Sequence, residues 1–255
     1  MSIAFARLIL VAVLLSNAYG ACAQTFDIVG LSLGMTETQA RTALKAHGVD
    51  PNLQEQRQHY AYSDGVNHGL TTEDFLYTID AERRGDTHDA LTLYFSPGPA
   101  GGRVVAIARR LEMATGAPTR RQYVEALVKK YGTPVEDDGN TLRWQFPAEK
   151  IQCIAGAVGS YSPTQPSILK KLYGANVGSR DGVFHNRAVT SLDDCASYLS
   201  YALPSGDDSA VTQSTALLVD VAATAEGELA AAEWVAGLAE QARLAREGQG
   251  AVPAL

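Results

Sequence analysis

Two stretches, "LGMTETQARTALKAHG" (33–48) and "TRRQYVEALVKKYGTP" (119–134), are built to one plan, and that plan limits the folds open to the chain. In the first, Thr36 is followed by Gln39, the spacing of a capping box, in which each side chain satisfies a backbone N–H that the first helical turn leaves unpaired. A helix is predicted from Glu37, with Ala40, Ala43, Leu44 and His47 along one face and Met35 packing on its first turn. Gly48 supplies the left-handed residue that commonly closes a helix. Thr119 and Gln122 repeat the device: Ala126 and Leu127 follow the cap at the same offsets as Ala43 and Leu44, and Gly132 ends the run before Pro134. Recurrence of this kind predicts two related units.

The chain between the two helices is patterned for strands. "EDFLYTIDAE" (73–82), "DALTLYFSP" (89–97) and "GRVVAIARRLEM" (102–113) are rich in β-branched and aromatic residues and are separated by "RRGDTH" and "SPGPAGG", which carry turn residues. An antiparallel meander is predicted, with Phe75, Tyr77 and Ile79 on one apolar face and Leu91, Leu93 and Phe95 on the next, helices on one side and water on the other. Tyr123, Leu127 and Tyr131 are expected to supply part of the helical cover. Past the second helix, a turn at Asp138-Gly139 leads into a strand carrying Leu142, Trp144 and Phe146 on one face. A further strand pair is expected at "ASYLSYAL" (196–203) and "TALLVDVAA" (215–223). The chain closes with an amphipathic helix over 226–247, its stripe made by Ala231, Val235, Leu238, Ala242 and Ala245, which is expected to pack on the second unit's sheet; a partner helix anchored by Trp234 is the other reading.

The first 23 residues have the layout of a secretory signal peptide: Arg7, an apolar run from Leu8 to Leu15, then small residues around Ala21-Cys22-Ala23, with the mature chain expected to start at Gln24. The apolar run is far shorter than the roughly 20 residues that cross a bilayer. Cys22 opens a second reading, lipidation at an outer-membrane lipoprotein signal, although Tyr19 stands where that motif normally has leucine. An exported chain meets oxidising conditions, so Cys153 and Cys195 are expected to form a disulfide across a loop of about 43 residues, a closure that stabilises by roughly 3 to 4 kcal/mol on a chain-entropy estimate. The alternative is a Cys195 thiol nucleophile served by His185. The tied stretch 153–195 contains one short amphipathic piece, "PSILKKLYG", and loops of that length are often functional.

Composition and spacing bound the rest. With the leader removed, 28 acidic residues face 20 basic ones, a formal charge of −8, and no basic block is present, which argues against nucleic acid as a partner. The histidines His47, His59, His68, His88 and His185 include no i, i+4 pair, so no metal site is expected; Asp86, His88 and Asp89 in "GDTHDA" are read as a turn. The G-x-S-x-G spacing at Gly30 to Gly34 falls in the turn into the first capped helix, the S-x-x-K spacing at Ser167 to Lys170 falls in the short amphipathic piece, and no catalytic residue or cofactor is assigned. Tyr60, Tyr62, Tyr161, Tyr198 and Tyr201 fit half-buried strand positions, with a binding surface as the second reading.

The motif "GLSLGMTETQARTAL", followed by strands and a second helix ending "KKYGTP", resembles the small exported α+β modules of the SmpA/OmlA (BamE) outer-membrane lipoproteins and of the β-lactamase inhibitory protein, over Phe26 to Phe146. The resemblance implies helices on one face of an antiparallel sheet, in tandem, and a protein-interaction scaffold more than an enzyme. The expected whole is an α+β protein: signal peptide 1–23, a first helix and meander unit 24–116, a second helix and sheet unit 117–225 with the 153–195 loop, a C-terminal helix 226–247 and a tail 248–255. Its expected function is periplasmic or secreted binding of another protein. An exported hydrolase with a site near the 153–195 loop and an envelope lipoprotein anchored at Cys22 are the alternatives.

Overall fold

The computed structural model describes residues 26–49, 53–153 and 189–248. The leader with Cys22, the piece "PSILKKLYG", Tyr161 and His185 lie outside the described residues, as does the tail beyond residue 248.

Both caps form as their spacing requires. Helix α1 (Glu37–His47) starts where Gln39 N–H donates to Thr36 Oγ1 at 3.3 Å and Thr36 N–H donates to Gln39 Oε1 at 2.9 Å. Helix α2 (Arg120–Tyr131) repeats the pair through Thr119 and Gln122, at 3.3 and 3.0 Å. Gly48 closes α1 at φ 79°, a left-handed conformation that glycine adopts without a Cβ penalty.

The strands are β1 (Leu53–Gln58), β2 (Ala61–Tyr62), β3 (Leu70–Thr71), β4 (Phe75–Arg84), β5 (Thr87–Phe95), β6 (Val104–Met113), β7 (Glu136–Asp137), β8 (Thr141–Phe146), β9 (Ser197–Ala202) and β10 (Gln213–Val219). Eight of them make one sheet, ordered β1-β4-β5-β6-β10-β9-β8-β7 and antiparallel at every step, while β2 and β3 form a separate small hairpin. Each half lays down a helix and then four strands in the same order, and the halves join through their last strands, β6 and β10, with Arg109 opposite Ala216 at the middle of the join. The two helix-and-sheet units therefore share a single sheet.

Both helices cover the same face. Ala40 and Leu44 of α1 and Leu127 and Tyr131 of α2 belong to one core with Ile79, Leu91, Leu93, Phe95, Ile107, Leu142, Trp144, Leu199, Tyr201 and Leu218. Phe26, stacked on Tyr131 at 5.8 Å and on Phe146 at 4.2 Å, packs against its rim. Burying each such large side chain contributes about 1.5 to 3 kcal/mol, which makes this face the main source of stability.

The expected alternation on β4 fails at one point. Gln56 pairs with Thr78 but Arg57 pairs with Leu76, so Tyr77 is an extra residue at a β-bulge. Leu76 and Ile79 thus face the core, whereas Tyr77 meets Tyr94 edge-on at 6.3 Å and Phe75 stacks on Tyr60 at 5.2 Å. A one-residue slip exchanges the faces of every side chain beyond it.

The second face is not left to water along its whole length. Helix α3 (Val221–Gly248) starts at Val221 rather than at 226, because Asp220 ends β10 and its carboxylate accepts from Ala223 N–H at 2.9 Å. It packs on the opposite face of the same sheet, where Val221 and Ala225 join Ala106, Leu217, Val219, Val189, Leu192 and Cys195 in a second, smaller core. The buried residues of α3 lie between Val221 and Ala231, so of the expected stripe Ala231 is buried, Val235, Leu238 and Ala242 are half-buried and Ala245 is exposed. Gly227 allows close approach: a Cβ there would come within 3.3 Å of Pro97 Cδ and 3.4 Å of Ser96 Cβ. Cys153 and Cys195 are disulfide-bonded with Cα atoms 5.3 Å apart, which removes the Cys195 thiol required by the nucleophile reading.

Candidate interaction surface

The sheet face opposite α1 and α2 divides in two. One part lies under α3 and beside the disulfide; the other, on β1, β4, β5, β6 and β10, carries Gln54, Gln56, Asp80, Glu82, Arg84, His88, Ala90, Thr92, Arg110, Glu112, Gln213 and Thr215, all half-buried or exposed. Register fixes their adjacency: Gln54 sits opposite Asp80, Asp80 opposite Thr92, His88 opposite Glu112, and Arg110 between Ala90 and Thr215. Gln54, Asp80, Glu82, Ala90 and Thr92 border a depression of about 490 Å³.

Two polar groupings order this face. Asp80 accepts from Thr92 Oγ1 at 2.6 Å and from Thr78 Oγ1 at 3.4 Å, which holds its carboxylate upright between β4 and β5. Beside it, His88 bridges two carboxylates, Glu82 through Nε2 and Glu112 through Nδ1 at 3.3 Å, while Arg84 pairs with Glu82 at 2.9 Å and Arg110 with Glu112 at 2.5 Å. Five ionisable side chains are thereby linked across three strands. The hydrogen bonds to Glu82 and Glu112 raise the pKa of His88, and those from Arg84 and His88 hold Glu82 below the ordinary glutamate value.

The residues read as a turn in "GDTHDA" separate on folding. Gly85 and Asp86 do turn the β4–β5 hairpin, but His88 and Asp89 belong to β5 and point to opposite faces. Asp89 is fully buried on the helix side, where Arg109 Nε and Nη2 donate to its two oxygens at 2.8 Å each, His47 Nε2 lies 2.8 Å from Oδ2 and Arg83 Nη2 lies 3.7 Å away. Burial alone raises the pKa of Asp89, yet the Arg109 and His47 hydrogen bonds outweigh it and hold the carboxyl below its usual range. His47, expected on an apolar helix face, is thus a ligand of a buried carboxylate, and this cluster was missed because its members lie 20 and 42 positions from Asp89.

The tyrosines divide likewise. Tyr201 is buried in the main core and Tyr198 lies against the second, with burial pushing the Tyr198 phenol up to about 12, while Tyr60 covers Phe75 on the α3 side. Among the described residues, no group of three or more His, Cys, Asp or Glu side chains is placed to hold a metal ion, and no helix is long and apolar enough to cross a membrane.

Fold and surface together define a class: a two-half α+β protein with one sheet face closed by helices and the other partly open. No protein-family model, curated protein or solved structure matches the chain.

Proposed function

We propose that this chain is an exported binding protein that docks another protein against the open part of its sheet. The observation that carries the reading is the open face itself, where short residues (Ala90, Thr92, Thr215) alternate with the linked charges of Glu82, Arg84, His88, Arg110 and Glu112 on a hydrogen-bonded platform. Strands already locked into a ladder lose little freedom on binding, and charges already fixed by neighbours discriminate between partners through complementarity. The likeness of "GLSLGMTETQARTAL" to exported interaction modules points the same way. Most of the loop to which the hydrolase alternative assigns its site lies outside the described residues.

Photocrosslinking in the native envelope tests the proposal. Replacement of Thr92 or Ala90 by a benzophenone amino acid is expected to give a discrete protein adduct, and the same replacement at Lys129 on the exposed side of α2 is expected to give none. Adducts at Lys129 alone, or no adduct from either sheet position, overturn it.

A further inference from the structure

A second site lies on the other side of the sheet. Arg109 of β6, Tyr201 of β9, the α2 residues Tyr123, Ala126, Leu127 and Tyr131, and Val29 line a cavity of about 300 Å³. That is space for about ten waters at roughly 30 Å³ each, near the lower end of small-ligand pockets.

Its lining is polarised. Arg109 commits Nε and Nη2 to Asp89, and neither bond uses Nη1. Phenol groups lie near the same guanidinium: Tyr123 shares a hydrogen bond with Ser214 Oγ at 3.0 Å, the Tyr201 ring lies 6.2 Å from that of Tyr131, and Tyr131 donates to the Asp27 carbonyl at 2.6 Å. Burial pushes the Tyr201 and Tyr131 phenols up, so both remain protonated. The rest of the wall is apolar: Val29, Pro118, Ala126 and Leu127. Lys130, the other cation in the lining, is engaged by Asp27 at 3.0 Å and lies over the Tyr131 ring. The Asp89 carboxylate is shared among Arg109 and His47 at 2.8 Å and Arg83 at 3.7 Å, so it is not given to Arg109 alone.

Val29 carries a second observation. It occupies the first position of a two-residue turn closed by reciprocal Ile28 and Leu31 hydrogen bonds of 2.9 Å, with φ +50° followed by Gly30 at +84°. Turns of this geometry favour asparagine or aspartate at that position, and a β-branched residue there is a genuine outlier. Strain of this kind collects at functional sites, and here it places an isopropyl group in the cavity wall.

We infer that this cavity binds a small monocarboxylate with an aromatic or branched apolar body, its carboxylate on Arg109 Nη1 and its body against Val29, Leu127 and the tyrosine rings. One uncommitted guanidinium nitrogen suits one carboxylate, and the apolar wall excludes a compact polyanion. The site is independent of the sheet face assigned to a protein partner.

Calorimetric titration of the folded protein with 4-phenylbutyrate, and with the neutral 4-phenylbutyramide, tests this. Saturable one-to-one binding of the acid is expected, with the amide at least tenfold weaker. Ala126 is exposed on α2, so Ala126→Trp should fold, fill the mouth and weaken the acid at least tenfold. Val29→Asn should raise the unfolding temperature while weakening binding, a combination that a purely structural Val29 does not produce. No saturation by the acid up to about 10 mM, equal affinity for acid and amide, or undiminished binding in both variants overturns the inference.

Discussion

Replacing Asp89 with asparagine isolates the buried ion pair. The amide keeps the shape but removes the charge that compensates Arg109, whose side chain is only 15% exposed, and it turns an NH₂ donor toward either Arg109 or His47, both of which now present donors to an acceptor. Removing one partner of a buried pair generally destabilises by about 3 to 5 kcal/mol. Because Arg109 also lines a cavity that water enters, part of the stranded charge is hydrated, and the lower end, about 3 kcal/mol, is expected. For a chain of this size each kcal/mol moves the midpoint by roughly 2 to 4 °C, so Asp89→Asn should lower Tm by about 6 to 12 °C. Urea unfolding followed by tryptophan fluorescence supplies the free energy; Trp144 is buried beside Tyr131 and Tyr201. Removing both charges, as Asp89→Leu with Arg109→Met, should recover most of the loss, since an apolar pair replaces an ion pair at little cost. The folded pKa of Asp89 is depressed, so its contribution is complete above about pH 4 and is lost as pH falls through the folded value; the gap between wild type and Asp89→Asn must narrow there. A loss below about 1 kcal/mol, or a double variant as unstable as the sum of its parts, refutes the buried-counterion account.

The disulfide closes a loop with a sequence separation of 42, so replacing Cys153 and Cys195 with alanine should cost about 4 kcal/mol, read as a fall in the urea midpoint with a steeper slope, because the unfolded chain expands without the cross-link. Thr36→Ala and Thr119→Ala each remove a cap acceptor and should cost about 1 kcal/mol, additively because the sites lie on separate helices, while serine at either position should retain most of the stability. The raised pKa of His88 means that its bridge to Glu82 and Glu112 is intact below about pH 6.5 and weakens as pH rises through the folded value. NMR titration should place that value above the free-histidine value, and His88→Gln should abolish the corresponding pH dependence of stability.

What the sequence disclosed was the part settled within a few residues. Thr36 with Gln39 and Thr119 with Gln122 cap their helices through contacts three positions apart, and Leu91, Leu93 and Phe95 reach the core through simple alternation. Strand β1 gave no such signal: Gln54, Glu55, Gln56 and Arg57 are all exposed, and the strand is held at the sheet edge by its ladder to β4. The bulge at Tyr77 likewise depends on how β1 pairs, which reversed the expected faces of Phe75 and Tyr77. Aspartate is a turn former by type, so Asp89 read as part of its neighbouring turn; only the folded register brings Arg109 and His47 to it.

The join between the halves accounts for both candidate sites. Two helix-plus-four-strand units fused through their last strands place β6 against β10 at the centre of the sheet, where Arg109 faces Ala216, a long cation beside one of the smallest core residues. A larger residue at Ala216 would crowd the space Arg109 occupies beside Tyr123 and Tyr201. On the opposite face the same two strands carry Ala106, Leu217 and Val219 at one end and Glu112 and Gln213 at the other, so apolar surface is available to α3 at one end only. Helix α3 follows directly from β10 through the Asp220 cap, and its buried residues stop at Ala231. Covering the polar end would strip water from Glu82, Glu112, Arg110 and Arg84 without apolar gain, so α3 leaves that end of the face uncovered.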